Sequence, residues 1–241
     1  MVSNGRSIYA EDMPRTKRPA RDAQLVQIVD RALQETAAKS GDWLACRPGC
    51  TQCCIGPFAI NQLDALRLRE GLAALETSDP HRASRVRRRA QASVRRLRRD
   101  FPGDAKTGAL DMSESGMRKF EGFANDEPCP VLDPDTGLCD LYDYRPMTCR
   151  VFGPPVRSEE GLGVCELCFK GATQKQIAAC EMMADPEDLE STLLREVESK
   201  SGLKGDTIVA FCLNKSAHRL CSREASKAAR RGSSAMRMDS C

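Results

Sequence analysis

Two histidines, His81 and His218, are all that this chain of 241 residues possesses, and neither lies beside a recognisable nucleophile. HExxH helices, glycine-rich phosphate loops and dinucleotide fingerprints are absent, so no motif names a substrate and no catalytic residue is assigned. Aromatic residues make up only 5%, with a single tryptophan, Trp43. A core so short of large side chains calls for another source of stability. No apolar run approaches the roughly 18 residues of a membrane span, and the polar, basic start lacks the apolar stretch of a secretory signal. A soluble, cytoplasmic protein is therefore expected. The formal charge of +3, from 37 basic and 34 acidic residues, is too mild by itself to argue for nucleic acid.

Cysteine is what the chain has in abundance, thirteen in all. In a reducing compartment that number points to metal or thiol chemistry before disulfides. "CRPGCTQCC" packs Cys46, Cys50, Cys53 and Cys54 into one short loop, with Pro48-Gly49 forcing a turn. Cys129, Cys139 and Cys149 follow at even spacing, and then Cys165-x2-Cys168. Short Cys-x2-Cys loops let two sulfurs reach one ion, and a distant pair closes the tetrahedron. Adjacent side chains diverge, so Cys53 and Cys54 suggest two metals, or two corners of an iron–sulfur cluster; Cys50 and Cys53 make the better chelating pair. Buried structural thiols, disulfides and a redox centre remain alternatives. Cys180, Cys212, Cys221 and Cys241 read as ordinary thiols, although Cys212, His218 and Cys221 offer a further, weaker ligand set.

Periodicity predicts a mainly α fold: a small helical domain around an irregular, loop-rich, cysteine-ligated centre. Helices are expected from Asp22, as N-cap, to Gly41; over 61–76, capped by Asn61; over 79–101, opened by Asp79-Pro80; and from Asp185-Pro186 to Gly202. A short helix is expected near 117–123, and a short helix or strand over 206–213. The organisation is then a basic tail at 1–21, one cysteine-cluster domain at 22–215 with an arginine-rich helical insert at 79–101, and a C-terminal segment at 216–241. The insert's narrow apolar stripe predicts packing along one edge only.

The first loop, together with "CPVLDPDTGLCDLYDYRPMTCRVFGPP", resembles the YkgJ-type cysteine-cluster family of zinc- or iron-chelating domains. The matching positions of the second motif are Cys129, Pro130, Leu132, Gly137, Cys139, Tyr142, Arg145, Pro146, Cys149 and Arg150. The resemblance implies zinc or iron, or an iron–sulfur cluster, on Cys46, Cys50, Cys53, Cys54, Cys129, Cys139 and Cys149, with Cys165 or Cys168 as a further ligand. The chain departs from the family in the arginine-rich insert and in carrying both of those last cysteines. Arg145 and Arg150 are expected to hydrogen-bond to sulfur, or Arg145 to pair with Asp140 or Asp143. Pro146 is expected to start a helix near Cys149.

Three functions follow as expectations. The first is a metal-binding protein that chelates zinc or iron through clustered thiolates. The second is a cluster-dependent redox or modifying enzyme. The radical S-adenosylmethionine class fits poorly, because Gln52 replaces the usual aromatic, Cys54 is surplus and no strand–helix alternation follows. The third is a nucleic-acid-binding accessory protein using the arginine-rich helix, against which stand its lack of interleaved aromatics and the commonness of solvated charged faces. Protein partners are not indicated.

Overall fold

In the computed structural model, which describes residues 17–158 and 161–214, helices begin where capping chemistry allows. The chain forms α1 (Asp22–Ser40), α2 (Gln62–Ser78), α3 (Pro80–Leu97), α4 (Glu114–Glu121), α5 (Met147–Val151), α6 (Gln174–Ala179), α7 (Leu189–Ser201) and α8 (Val209–Leu213). Asn61 accepts from the Asp64 N–H and Asp79 from the Arg82 N–H, each satisfying an orphan donor of α2 or α3. Asp185 takes the N–H groups of both Leu189 and Glu190, so α7 opens a turn after the Asp-Pro pair. Two antiparallel hairpins lie outside the expected elements: β1 (Gly103–Asp104) with β2 (Ala109–Leu110), and β3 (Val156–Ser158) with β4 (Gly161–Gly163). The 206–213 segment is strand-like and then helical, since Thr207 bridges to Ile60 before α8 begins.

Helix α2 is central, packing on α3, α7 and α8. Leu63, Ala65, Leu66, Leu68 and Leu72 are all buried, so it is covered on more than the single stripe that periodicity suggests. Helix α3 buries one stripe, as its narrow apolar face predicts. Its Ala83, Val86 and Ala90 belong to the central core, and it contacts both α2 and α8.

The largest fully buried side chain is a charged one, Arg67 of α2. It donates to Asp22 at 2.6 and 2.9 Å and to Asp64 at 2.5 Å. Asp64 also accepts the Met147 N–H at 3.0 Å, so one network ties α1, α2 and α5 together. Asp22 is thus the first helical residue and a buried ion-pair partner, while Arg21 occupies the N-cap without a side-chain cap bond. Arg18, in the expected tail, bonds Glu70 and Asp22.

Candidate metal centre

Three irregular segments meet to form the cysteine-bearing region. The first is the 46–54 loop. The Cys50 N–H donates to the Arg47 carbonyl at 2.9 Å across Pro48-Gly49, and Gly49 takes φ +88°, a conformation that favours glycine. A short 3-10 turn over Gln52–Cys54 follows. The second segment is strapped to this one by backbone: the Cys129 N–H donates to the Cys54 carbonyl at 2.7 Å and the Gly56 N–H to the Glu127 carbonyl at 2.9 Å. It doubles back through a bridge between Leu132 and Cys139, then enters α5, which carries Cys149. Tyr144 lies so close to α2 that a Cβ on Gly71 would overlap its ring.

The third segment brings in Cys165 and Cys168. The Phe169 N–H donates to the Trp43 carbonyl at 2.7 Å, and the two rings stack at 6.5 Å. Gln52 donates to Glu166 at 2.6 Å, joining the loop with Cys53 and Cys54 to the turn with Cys165 and Cys168. The Cys165 N–H donates to the Gly153 carbonyl. Gly153 has φ +124°, and a Cβ there would collide with the Cys46 sulfur.

These segments sort the nine thiols into two neighbourhoods. Burial pushes Cys46 up to about 12, helped by Cys168, Cys50 and Cys165. Burial, then Cys168 and Cys50, raises Cys165. Cys46, Cys50, Cys165 and Cys168 thus make one group. In the second group, Cys129 is pushed up to about 12 by burial, then by Cys139 and Cys53. Cys149 is raised by burial and by Cys129, Cys53 and Cys139. Cys54 is raised by its hydrogen bond with Cys53, by burial, and by Cys53, Cys129 and Cys139. Cys53 moves the other way, to about 6, because Cys54 hydrogen-bonds to it and Arg145 adds positive charge. The adjacent pair Cys53 and Cys54 thus influences one set of thiols, Cys50 influences Cys46 and Cys165, and Cys50 and Cys53, expected as a chelating pair, line the same cavity.

A cavity of about 530 Å³ is lined by Cys46, Cys50, Cys53, Cys54, Cys129, Cys139 and Cys149, with apolar walls that include Phe58, Phe152 and Val209. Among the described residues, no three His, Cys, Asp or Glu side chains close on one ion-sized point. Holding an ion therefore requires the thiols of a group to turn inward on it. The donor chemistry fits zinc or iron, since four or more clustered thiols with mutually disfavoured charge are relieved by a cation.

The arginines divide differently from expectation. Arg150 sends its guanidinium to Asp30 at 2.7 Å and to the Asp143 carbonyl, not to sulfur. Arg145 stacks over Tyr142 at 3.9 Å and pairs with neither Asp140 nor Asp143. It favours the charged forms of Cys53 and Cys139, and its buried Nε has no partner among the described residues. Asp140, next to Cys139 and with no side-chain exposure, is gripped by Arg82 and Arg89 of α3. Arg89 also donates to the Pro130 carbonyl at 2.9 Å, next to Cys129. The arginine-rich helix therefore holds the second cysteine segment. The seven-residue interval between Arg82 and Arg89, two turns on one helix face, was the legible signal.

Outside the two groups, buried Cys180 and Cys212 donate to the carbonyls of Lys39 and Ala65 and behave as ordinary core thiols. His218, Cys221 and Cys241 lie outside the described residues. No helix among the described residues is long and apolar enough to cross a membrane.

No curated protein and no solved structure matches the chain. A family model does, over residues 45–181, which is more than half of the sequence and spans all nine thiols of the two groups. That family is CxxCxxCC, described as a "Putative zinc- or iron-chelating domain", and the chain belongs to it.

Proposed function

We propose that this protein binds zinc or iron at two thiolate centres. Cys46, Cys50, Cys165 and Cys168 form a four-sulfur site suited to a single tetrahedral ion that staples the third segment to the first. Cys53, Cys54, Cys129, Cys139 and Cys149 form a five-sulfur site. Five sulfurs exceed the needs of one tetrahedral ion, and the cavity beside them has room for more. This second site therefore suits a polynuclear centre, which for iron is an iron–sulfur cluster. The observation carrying the proposal is the backbone strapping of the cysteine segments, Cys129 N–H to the Cys54 carbonyl and Cys165 N–H to the Gly153 carbonyl, with the Cys46 sulfur against Gly153; the mutual electrostatic influence of the thiols follows the same grouping.

In this reading, the chain is a YkgJ-type member whose cysteine-cluster domain extends over 22–215, and it works in the reducing cytoplasm, where the thiols stay available. Arg145 offsets the negative charge of the five-sulfur site. Anaerobic purification with metal analysis and an absorption spectrum tests the proposal. Two centres require more than one metal equivalent per chain; one equivalent or less, or metal that is not lost when the cysteines are alkylated under denaturing conditions, contradicts it.

A further inference from the structure

The arginines of α3 and its C-terminal extension are used in two ways. Along the flanks of the helix, Arg82 and Arg89 take Asp140, Arg87 takes Glu76 and the exposed Arg96 takes Glu127. On the outward side, Arg85, Arg88, Arg95 and Arg98 are exposed and make no ion pair with a described residue; Arg85 only lowers Asp133 through space. Their three- and seven-residue intervals keep them on one face over about 20 Å of helix. Like charges at these spacings repel, which costs stability unless an anion is bound.

We infer that this face binds the phosphate backbone of a nucleic-acid duplex. The whole segment 79–101 contains arginine and no lysine, and the guanidinium fork matches phosphate oxygens in a way that a merely solubilising face does not need. No aromatic residue stands between Pro80 and Asp100 apart from the imidazole of His81, so the face offers no platform for unstacked bases and favours the paired form. A helix packed on one side and bare on the other can sit against a major groove.

The test uses the full chain and a short fluorescent duplex of random sequence, read by anisotropy across a salt series. Parent protein binds the duplex with a steep salt dependence and no sequence preference. In R85Q/R88Q/R95Q/R98Q, affinity falls by about tenfold or more and the log–log salt slope shrinks by about 3–4, near 0.9 for each phosphate no longer neutralised. Metal content and circular dichroism are unchanged, because these side chains face solvent. The matching Arg→Lys variant keeps most of the salt slope. No duplex binding by the parent at low salt, equal binding by the Gln variant, or tighter binding to single strands or to polyglutamate overturns the inference. None of these outcomes depends on the metal centres.

Discussion

The Cys129 N–H donates to the Cys54 carbonyl oxygen at 2.7 Å. One backbone hydrogen bond thus joins two cysteine motifs that lie far apart in sequence, and it does so within the five-sulfur group. The backbone at this junction brings the Cys53-Cys54 pair beside Cys129, the juxtaposition on which the proposed five-sulfur site rests. The thiols at the other end of the first loop, Cys46 and Cys50, are left to the segment arriving from Gly153.

That segment depends on glycine. Gly153→Ala puts a methyl group into the Cys46 sulfur at a φ of +124°, where side chains are strained. The expected outcome is loss of metal from the four-sulfur site with the five-sulfur site still filled. Metal analysis should therefore fall by about one equivalent, not to zero. Full occupancy in the variant would show that Cys46 does not ligate.

Arg89 grips both Asp140 and the Pro130 carbonyl. Removing it leaves a buried carboxylate with Arg82 alone. Arg89→Gln should lower occupancy of the five-sulfur site and cost about 1–3 kcal/mol in denaturant unfolding, the penalty typical of a lost charged hydrogen bond. Arg88→Gln, on the solvent side of the same helix, should change neither reading. Similar losses in both variants would mean that helix charge in general matters, and not the grip on Asp140.

Arg67 is buried between Asp22 and Asp64. Arg67→Met leaves Asp64 without its cation and Asp22 with Arg18 alone, and removal of one partner from a buried pair typically costs about 3–5 kcal/mol. Burial already raises Asp64, against the opposing pull of Arg67. The destabilisation should therefore shrink at acidic pH, where the carboxylates protonate. Unfolding curves at neutral and acidic pH check both the size and the direction.

Metal affinity should be steeply pH-dependent. Cys46 and Cys129 are pushed up to about 12, so in the metal-free protein both are protonated at neutral pH. Binding must expel those protons, so affinity rises with pH and falls as the solution is acidified. Titration with zinc in buffers of different ionisation enthalpy measures the protons released. Release near zero would mean that these thiols are not ligands.

Much of this fold is legible in the sequence. Asn61 and Asp79 precede apolar periodicity and do cap α2 and α3. Other features are not legible. Which thiols come near one another depends on which segment packs on which, so the influence of Cys168 and Cys165 on Cys46 is not readable from spacing. Arg150 borders Cys149 in sequence, but α5 turns its guanidinium toward Asp30 of α1. Sequence offers Asp140 only as one alternative partner of Arg145, beside Asp143 and sulfur, and the docking of α3 buries it against Arg82 and Arg89 instead. The short hairpins are set by turns and not by periodicity, so no apolar pattern marks them.

The most direct measurement is metal stoichiometry across single Cys→Ser variants of the nine thiols, with Cys180→Ser as control. Two classes are expected. Cys46, Cys50, Cys165 and Cys168 variants should share one partial loss, Cys53, Cys54, Cys129, Cys139 and Cys149 variants another, and the control should keep full metal. Uniform loss at all nine positions would mean a single centre. Unchanged metal in the Cys165 and Cys168 variants would contradict the two-site account outright.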